Sequence, residues 1–183
     1  MKNNIFFLLF FLVSCGGGPT TTANNSFAKT LSEEQIIDRT MNDFVANATT
    51  QDEIDRNLIL NYIIDNKLDM QSTPDGIYYQ ITKEGTGSHP TIQDVIVTNY
   101  HGTFLDGKVF DSTRGKKKPF THPLSRMNDG WKKVLPLMKT GSTGIFIIPS
   151  RFCYGEQGFG ELIPPNTILK FEIELLGIKE RRK

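Results

Sequence analysis

Between residues 100 and 171 the chain places aromatic side chains at Tyr100, Phe104, Phe110, Trp131, Tyr154, Phe159 and Phe171, among turn-forming glycines and an Ile163-Pro164-Pro165-Asn166 loop. Aromatic faces with a few polar tips build a greasy pocket rather than a proton-transfer site. The pairs that hydrolytic, metal or nucleotide chemistry needs are not legible around them. His89, His101 and His122 have no metal-ligand spacing with one another or with Cys153, so no metal site is expected. Ser112, Ser125 and Ser150 stand outside any nucleophile-elbow motif. Gly155, Gly158 and Gly160 lack the strand-to-helix setting of a phosphate cradle. A pocket of this kind suits a reaction that needs no proton transfer and no cofactor, and rotation about an Xaa-Pro peptide bond is such a reaction.

Those rings need a frame. After the turn signal Pro74-Asp75-Gly76 the apolar pattern takes the period of strands, at residues 77–81, 95–100, 143–148 and 168–175, each enriched in β-branched and aromatic residues. The last run alternates, with Leu169, Phe171, Ile173 and Leu175 expected to face a core and Lys170, Glu172 and Glu174 to face water. Asn128-Asp129-Gly130, followed by Trp131 to Leu135, reads as a short helix that Pro136 limits. One such helix against an antiparallel sheet is an α+β domain.

Ahead of this domain the composition changes three times. Met1 to Asn4 carries one cation, Ile5 to Val13 is apolar throughout, and Leu12-Val13-Ser14-Cys15 closes the run with small residues. Nine apolar residues are too few for a hydrocarbon core that takes about 20 in a helix. Residues 1–14 therefore look like a bacterial lipoprotein signal peptide, which would make Cys15 the lipidated first residue. Cys153 would then be the only remaining thiol, leaving no intrachain disulfide. Residues 15–30 continue as a flexible tether rich in Gly, Thr and Asn. From 31 to 70 the spacing turns helical. Ser32 with Gln35 and Thr50 with Glu53 read as capping boxes, opening two helices whose expected stripes are Ile36, Ile37, Met41 and Phe44, then Ile54, Leu58, Ile59, Tyr62 and Ile63. This hairpin could bury its stripe on the C-terminal domain, in a homodimer with a second copy, or on another envelope protein. Without Lys2 the 21 Lys and Arg become 20, against 20 Asp and Glu, and that balance argues against a nucleic-acid partner.

The span from 76 to 180 resembles the FKBP-type peptidyl-prolyl cis-trans isomerases. The resemblance rests on Tyr100-His101-Gly102-Thr103-Phe104 through Phe110-Asp111-Ser112-Thr113, then Gly130-Trp131, Leu137-Met138-Lys139-Thr140-Gly141, Tyr154-Gly155 and Ile163-Pro164-Pro165-Asn166, in the family's order. It implies a half-barrel antiparallel sheet wrapped around a short helix, preceded here by the helical hairpin. It also implies a proline ring stacked on Trp131, with Tyr100, Phe110, Met127, Tyr154, Ile163 and Phe171 as walls. The Asn128 N–H and the Tyr154 hydroxyl would donate to substrate carbonyls, Asp111 would hydrogen-bond inside the pocket, and Phe159 and Leu162 would form the far rim. Lys116 stands where members often carry an arginine. The implied activity is cofactor-free isomerisation of Xaa-Pro bonds in exported proteins, on the periplasmic side of a bacterial membrane, with the outer membrane preferred because Gly16 follows Cys15. The alternative is a proline-segment binding module or chaperone whose turnover is incidental.

Overall fold

The computed structural model describes residues 31–179. Cys15, the segment before it and the tether lie outside the described residues, as does the tail from 180. Both capping boxes form. Ser32 Oγ accepts the Gln35 N–H while Gln35 Oε1 accepts the Ser32 N–H, which starts α1 (Glu33–Met41). Thr50 and Glu53 exchange the same pair of bonds at the start of α2 (Gln51–Asp65). Backbone N–H groups of Thr50 and Thr49 hold the Glu53 carboxyl down to about 2. No described helix is long and apolar enough to cross a membrane.

Seven strands follow: β1 (Gln71–Ser72), β2 (Tyr78–Lys83), β3 (Val95–Thr103), β4 (Val109–Ser112), β5 (Phe120–Pro123), β6 (Thr143–Ile148) and β7 (Leu169–Lys179). They pair antiparallel in the order β1-β2-β6-β7-β3-β4. The outer edge of β3 is shared, with β5 on Val95 to Thr98 and β4 on His101 to Thr103. That division sets Tyr100, Phe110, Asp111 and Phe120 on adjacent strands. Thr98 pairs with Leu175 and Val97 with Gly177, so Leu176 is an extra residue in β7. Such a bulge bends a sheet and increases its twist.

The alternation expected of β7 is present. Leu169, Phe171, Ile173 and Leu175 are buried in one core with Ile77, Ile96, Phe146 and Ile148, closed by α3 (Asp129–Val134). Asn128 caps α3 by accepting the Trp131 N–H at 2.9 Å, and the helix tightens into a short 3₁₀ turn at Leu135–Leu137, where Pro136 sits. A Cβ on Gly130 would lie 2.7 Å from Ile148 Cγ2, so only a glycine lets α3 rest this close to β6.

The opposite face of the sheet is covered too. Ile147, Tyr78, Ile168 and Met70 pack against Ile36, Ile59, Leu60 and Ile63 of the two helices. The hairpin therefore docks on its own domain, but with a narrower stripe than its spacing suggests. Ile37, Met41, Phe44, Ile54 and Leu58 stay exposed, while Leu60 is buried although the spacing did not assign it. Two short helices lying on a sheet touch it along one line each, and residues a quarter turn away from that line remain in water.

Candidate active site

Four rings meet around the start of α3. The Trp131 indole, 2% exposed, takes Tyr100 edge-on at 5.3 Å, Phe171 edge-on at 5.5 Å and Phe120 edge-on at 6.0 Å. Phe110 meets Phe171 at 5.5 Å, and Phe104 tilts against Phe110 at 5.4 Å. Edge-to-face packing aligns the positive ring edges with negative faces, which fixes each ring's orientation as well as its position. Different strands supply the members: Tyr100 from β3, Phe110 from β4, Phe120 from β5 and Phe171 from β7. A side chain on Gly102 would meet the Phe110 ring at 2.5 Å, so this position of β3 is a seat for the ring.

The polar groups collect at the edge of the ring cluster. Tyr100 donates its hydroxyl to Asp111 Oδ2 in a short hydrogen bond. Asp111 Oδ1 accepts the Ser112 N–H at 2.7 Å and lies 3.3 Å from Lys116 Nζ. Burial pushes the Asp111 carboxyl up, but the Tyr100 hydroxyl, Lys116 and the Ser112 N–H outweigh it and leave the group below its ordinary value. Tyr100 moves the other way: burial and the adjacent carboxylate raise it well above the usual phenol range, so its proton stays on. Lys116 offers the carboxylate one contact where a guanidinium could offer two, and Arg114 is engaged elsewhere, with Glu172 at 2.6 Å.

Met127, Asn128 and Tyr154 border the cluster and are half-buried. Burial, then the neighbouring Cys153, lift the Tyr154 hydroxyl above its ordinary value, against the pull of the Asn128 amide beside it. The Asn128 backbone N–H meets no acceptor among the described residues. Phe159 lies 5.0 Å from the Tyr154 ring and pairs through its backbone with Ile163. Along this loop the exposures separate: Ile163 is buried in the core beside the rings, while Phe159 and Leu162 are half in water. Leu162 borders a second groove with Leu58, Phe104, Leu105 and Ile168 rather than the ring cluster. Of the residues singled out in the sequence, Tyr100, Phe110, Asp111, Trp131 and Phe171 are brought into contact, Met127, Asn128, Tyr154, Phe159 and Ile163 surround them, and Leu162 stands apart. Phe120 was missed. Its signal was the pair Phe120 and His122 alternating through a four-residue strand, too short to separate from the lysine run before it.

Among the described residues no group of three His, Cys, Asp or Glu is placed to hold a metal ion. Fold and site together define a half-barrel protein with a packed cluster of aromatic rings around Trp131 and a single hydrogen-bonded acid at its edge. Residues 86–176 match the family model described as FKBP-type peptidyl-prolyl cis-trans isomerase. The chain is 41% identical over 109 residues to a probable FKBP-type peptidyl-prolyl cis-trans isomerase FkpA of Neisseria meningitidis, covering 60% of this chain and 40% of that protein. It is 40% identical over 107 residues to an outer membrane protein MIP of Legionella longbeachae, covering 58% and 46%. A crystal structure of a peptidyl-prolyl cis-trans isomerase from Pseudomonas syringae superimposes with a TM-score of 0.61 at 31% identity, over 74% of this chain and all of that one. The chain belongs to the FKBP-type peptidyl-prolyl cis-trans isomerase family. It spans about half the length, or less, of the first curated relatives it matches.

Proposed function

We propose that the protein catalyses cis-trans isomerisation of Xaa-Pro bonds in exported proteins. The observation that carries this reading is the Trp131 indole, walled edge-on by Tyr100, Phe120 and Phe171, beside an acid that is hydrogen-bonded rather than paired with a nucleophile. Amide resonance sets the barrier to rotation at ~18–20 kcal/mol and puts partial negative charge on oxygen. A dry aromatic cavity disfavours that charge-separated planar form relative to the twisted one, and no covalent step is needed. A rate gain on the order of 10⁵ corresponds to about 7 kcal/mol, which desolvation, packing and orientation can share. In this scheme Trp131 carries the proline ring, and Tyr100, Phe110, Ile163 and Phe171 enclose it with Met127. The Asn128 N–H and Tyr154 hydroxyl hold substrate carbonyls, Asp111 fixes Tyr100, and Phe159 and Leu162 touch the flanking residues. The test is a protease-coupled assay on an Xaa-Pro peptide with wild type and Trp131→Leu, which keeps an apolar residue at a buried position. Acceleration by wild type and at least about a tenfold loss in the variant are expected. A folded wild type that binds the peptide without accelerating it would make the pocket a binding module.

The setting is part of the same proposal. Cys15 would be lipidated and anchor the chain to the periplasmic face of a bacterial membrane, the outer one preferred, with residues 16–30 as tether. The Legionella longbeachae relative, named an outer membrane protein, supports this placement. Metabolic lipid labelling with membrane fractionation tests it, and an unlabelled Cys15 would refute it. The exposed Ile37, Met41, Phe44, Ile54 and Leu58 support a homodimer through the helices. Light scattering on wild type and Leu58→Lys decides that, a monomeric wild type counting against it.

A further inference from the structure

Asp55 is the one fully buried acid among the described residues, and it does not belong to the pocket. It sits on α2, in the helical extension. No cation pairs with it among the described residues, and it is held by two donors: the Gln51 Nε2 amide at 2.7 Å and the Ser150 backbone N–H at 2.7 Å. Burying a carboxylate without a counter-ion is unfavourable unless its oxygens are hydrogen-bonded, so Asp55 depends on these two donors to stay in the interior. What it grips is the turn Ser150–Phe152, four residues before Tyr154. Ser150 O in turn accepts the Cys153 N–H at 2.9 Å, so the anchored residue is bonded directly to the neighbour of the site tyrosine.

The same segment is held from other sides. Arg151 pairs with Asp52, also on α2, donates to Asp75 O at 2.5 Å, and lies over the Phe152 ring, which Lys133 of α3 covers as well. Those contacts are at the surface and individually weak. Asp55 is the buried one. Ser150 is itself 1% exposed and its hydroxyl has no partner among the described residues. Removing Asp55 would leave both the N–H and the hydroxyl of Ser150 unsatisfied in the interior, and the cheapest relief is for the turn to move toward water and take Tyr154 with it. The Cys153 thiol, raised by burial and then by Asp55, stays protonated and adds no competing charge.

We infer that Asp55 is a positioning residue for the isomerase site: the helical extension reaches through the Ser150 N–H and sets the place of Tyr154. This rests on the reading of Tyr154 as a donor to the substrate. The experiment uses the full chain in four forms, wild type, Asp55→Ala, Asp55→Asn and Ile63→Ala, with the peptide assay and with NMR of the Ser150 amide and Tyr154 ring. Asp55→Asn keeps an acceptor oxygen for Ser150, and Ile63→Ala loosens α2 at a buried apolar position without touching the turn. Asp55→Ala should lose about tenfold in kcat/KM, mostly through KM, because a donor to the ground-state carbonyl is displaced. Its Ser150 and Tyr154 resonances should shift, while Asp55→Asn and Ile63→Ala remain within about twofold of wild type. Equal losses in Asp55→Ala and Ile63→Ala, or in the Ala and Asn variants, would overturn the inference, as would unmoved Tyr154 resonances in Asp55→Ala. Should Asp55→Ala not fold, Gln51→Ala replaces it, removing only the amide that steadies the carboxylate. A smaller loss in the same direction supports the inference and an unchanged kcat/KM with unmoved resonances refutes it. An inactive wild type would count against the isomerase reading alone, since the resonances still report whether Asp55 places Tyr154.

Discussion

Asp111 gathers three donors, the Tyr100 hydroxyl, the Ser112 N–H and the Lys116 ammonium, and its charge is what makes Tyr100 hold one orientation against the indole. Because its folded value lies below the ordinary 3.8, the stabilisation it contributes is fully present above that value and is lost as pH falls through the folded one. At neutral pH the pair is intact. Its strength is measurable with Tyr100→Phe, Asp111→Asn and the double variant in urea unfolding. A coupling of about 1 kcal/mol is expected, the low end for a charged hydrogen bond because Asp111 is half exposed. Additive effects would mean that the two side chains lie together without stabilising one another. Most of this neighbourhood was readable from residue types: Tyr100, Asp111, Trp131 and Phe171 announce themselves through spaced motifs. Phe120 and Asp55 did not. Each gains its importance from a partner on another element, Trp131 for one and Ser150 for the other, and a lone aspartate on a helix reads as a solvated residue until its burial is known.

The elements that position the rings depend on close approaches that only a missing side chain permits. Gly102 on β3 faces the Phe110 ring, and a Cβ there would be 2.5 Å from its Cζ, inside any tolerable contact. Gly102 also pairs with Asp111 in the ladder, so β3 cannot shift to make room without disturbing the Asp111 neighbourhood. Gly102→Ala should therefore rotate or expel the Phe110 ring, destabilising the protein by about 1–3 kcal/mol and raising KM for a proline peptide. Unfolding curves with steady-state kinetics check this; an unchanged KM would show that Phe110 does not wall the occupied pocket. Element types were legible where periodicity ran long enough. Strand β7 shows its period over four buried residues, and both helices start at their capping boxes. Strand β6 is a solid apolar run because Phe146 and Ile148 face α3 while Ile147 faces the extension, and a run buried on both sides reveals nothing about which face is which. Strands β4 and β5, four residues each, fall below the length at which alternation carries information.

At the scale of the whole molecule the sheet serves two cores, and Tyr78 belongs to the one that joins domain to extension. Its ring is buried with Ile36, Ile59 and Ile63, and desolvation, then the negative charge of Asp43, push its hydroxyl up to about 12, with Arg56 opposing. The folded value lies above the ordinary 10, so the contribution is fully present below pH 10 and is lost as pH rises through about 12. That difference corresponds to about 2–3 kcal/mol. Tyr100 and the Cys153 thiol are raised as well, so wild type loses stability in alkali from several groups at once. The comparison that isolates the joint is wild type against Tyr78→Phe, with urea midpoints followed from neutral pH into alkali. The phenylalanine variant removes the ionising group and keeps the packed ring, so its midpoint should fall less steeply above pH 10, and the two curves should separate most near 12. Helical signal and isomerase turnover recorded along the same series add the direction of coupling. If the extension sets the place of Tyr154 through Asp55, turnover in wild type should decline together with undocking of α1 and α2, before the sheet unfolds, and the Tyr78→Phe variant should hold both to higher pH. Parallel midpoints in the two proteins would place the alkaline weakness in the ring pocket and leave the joint without a part in it.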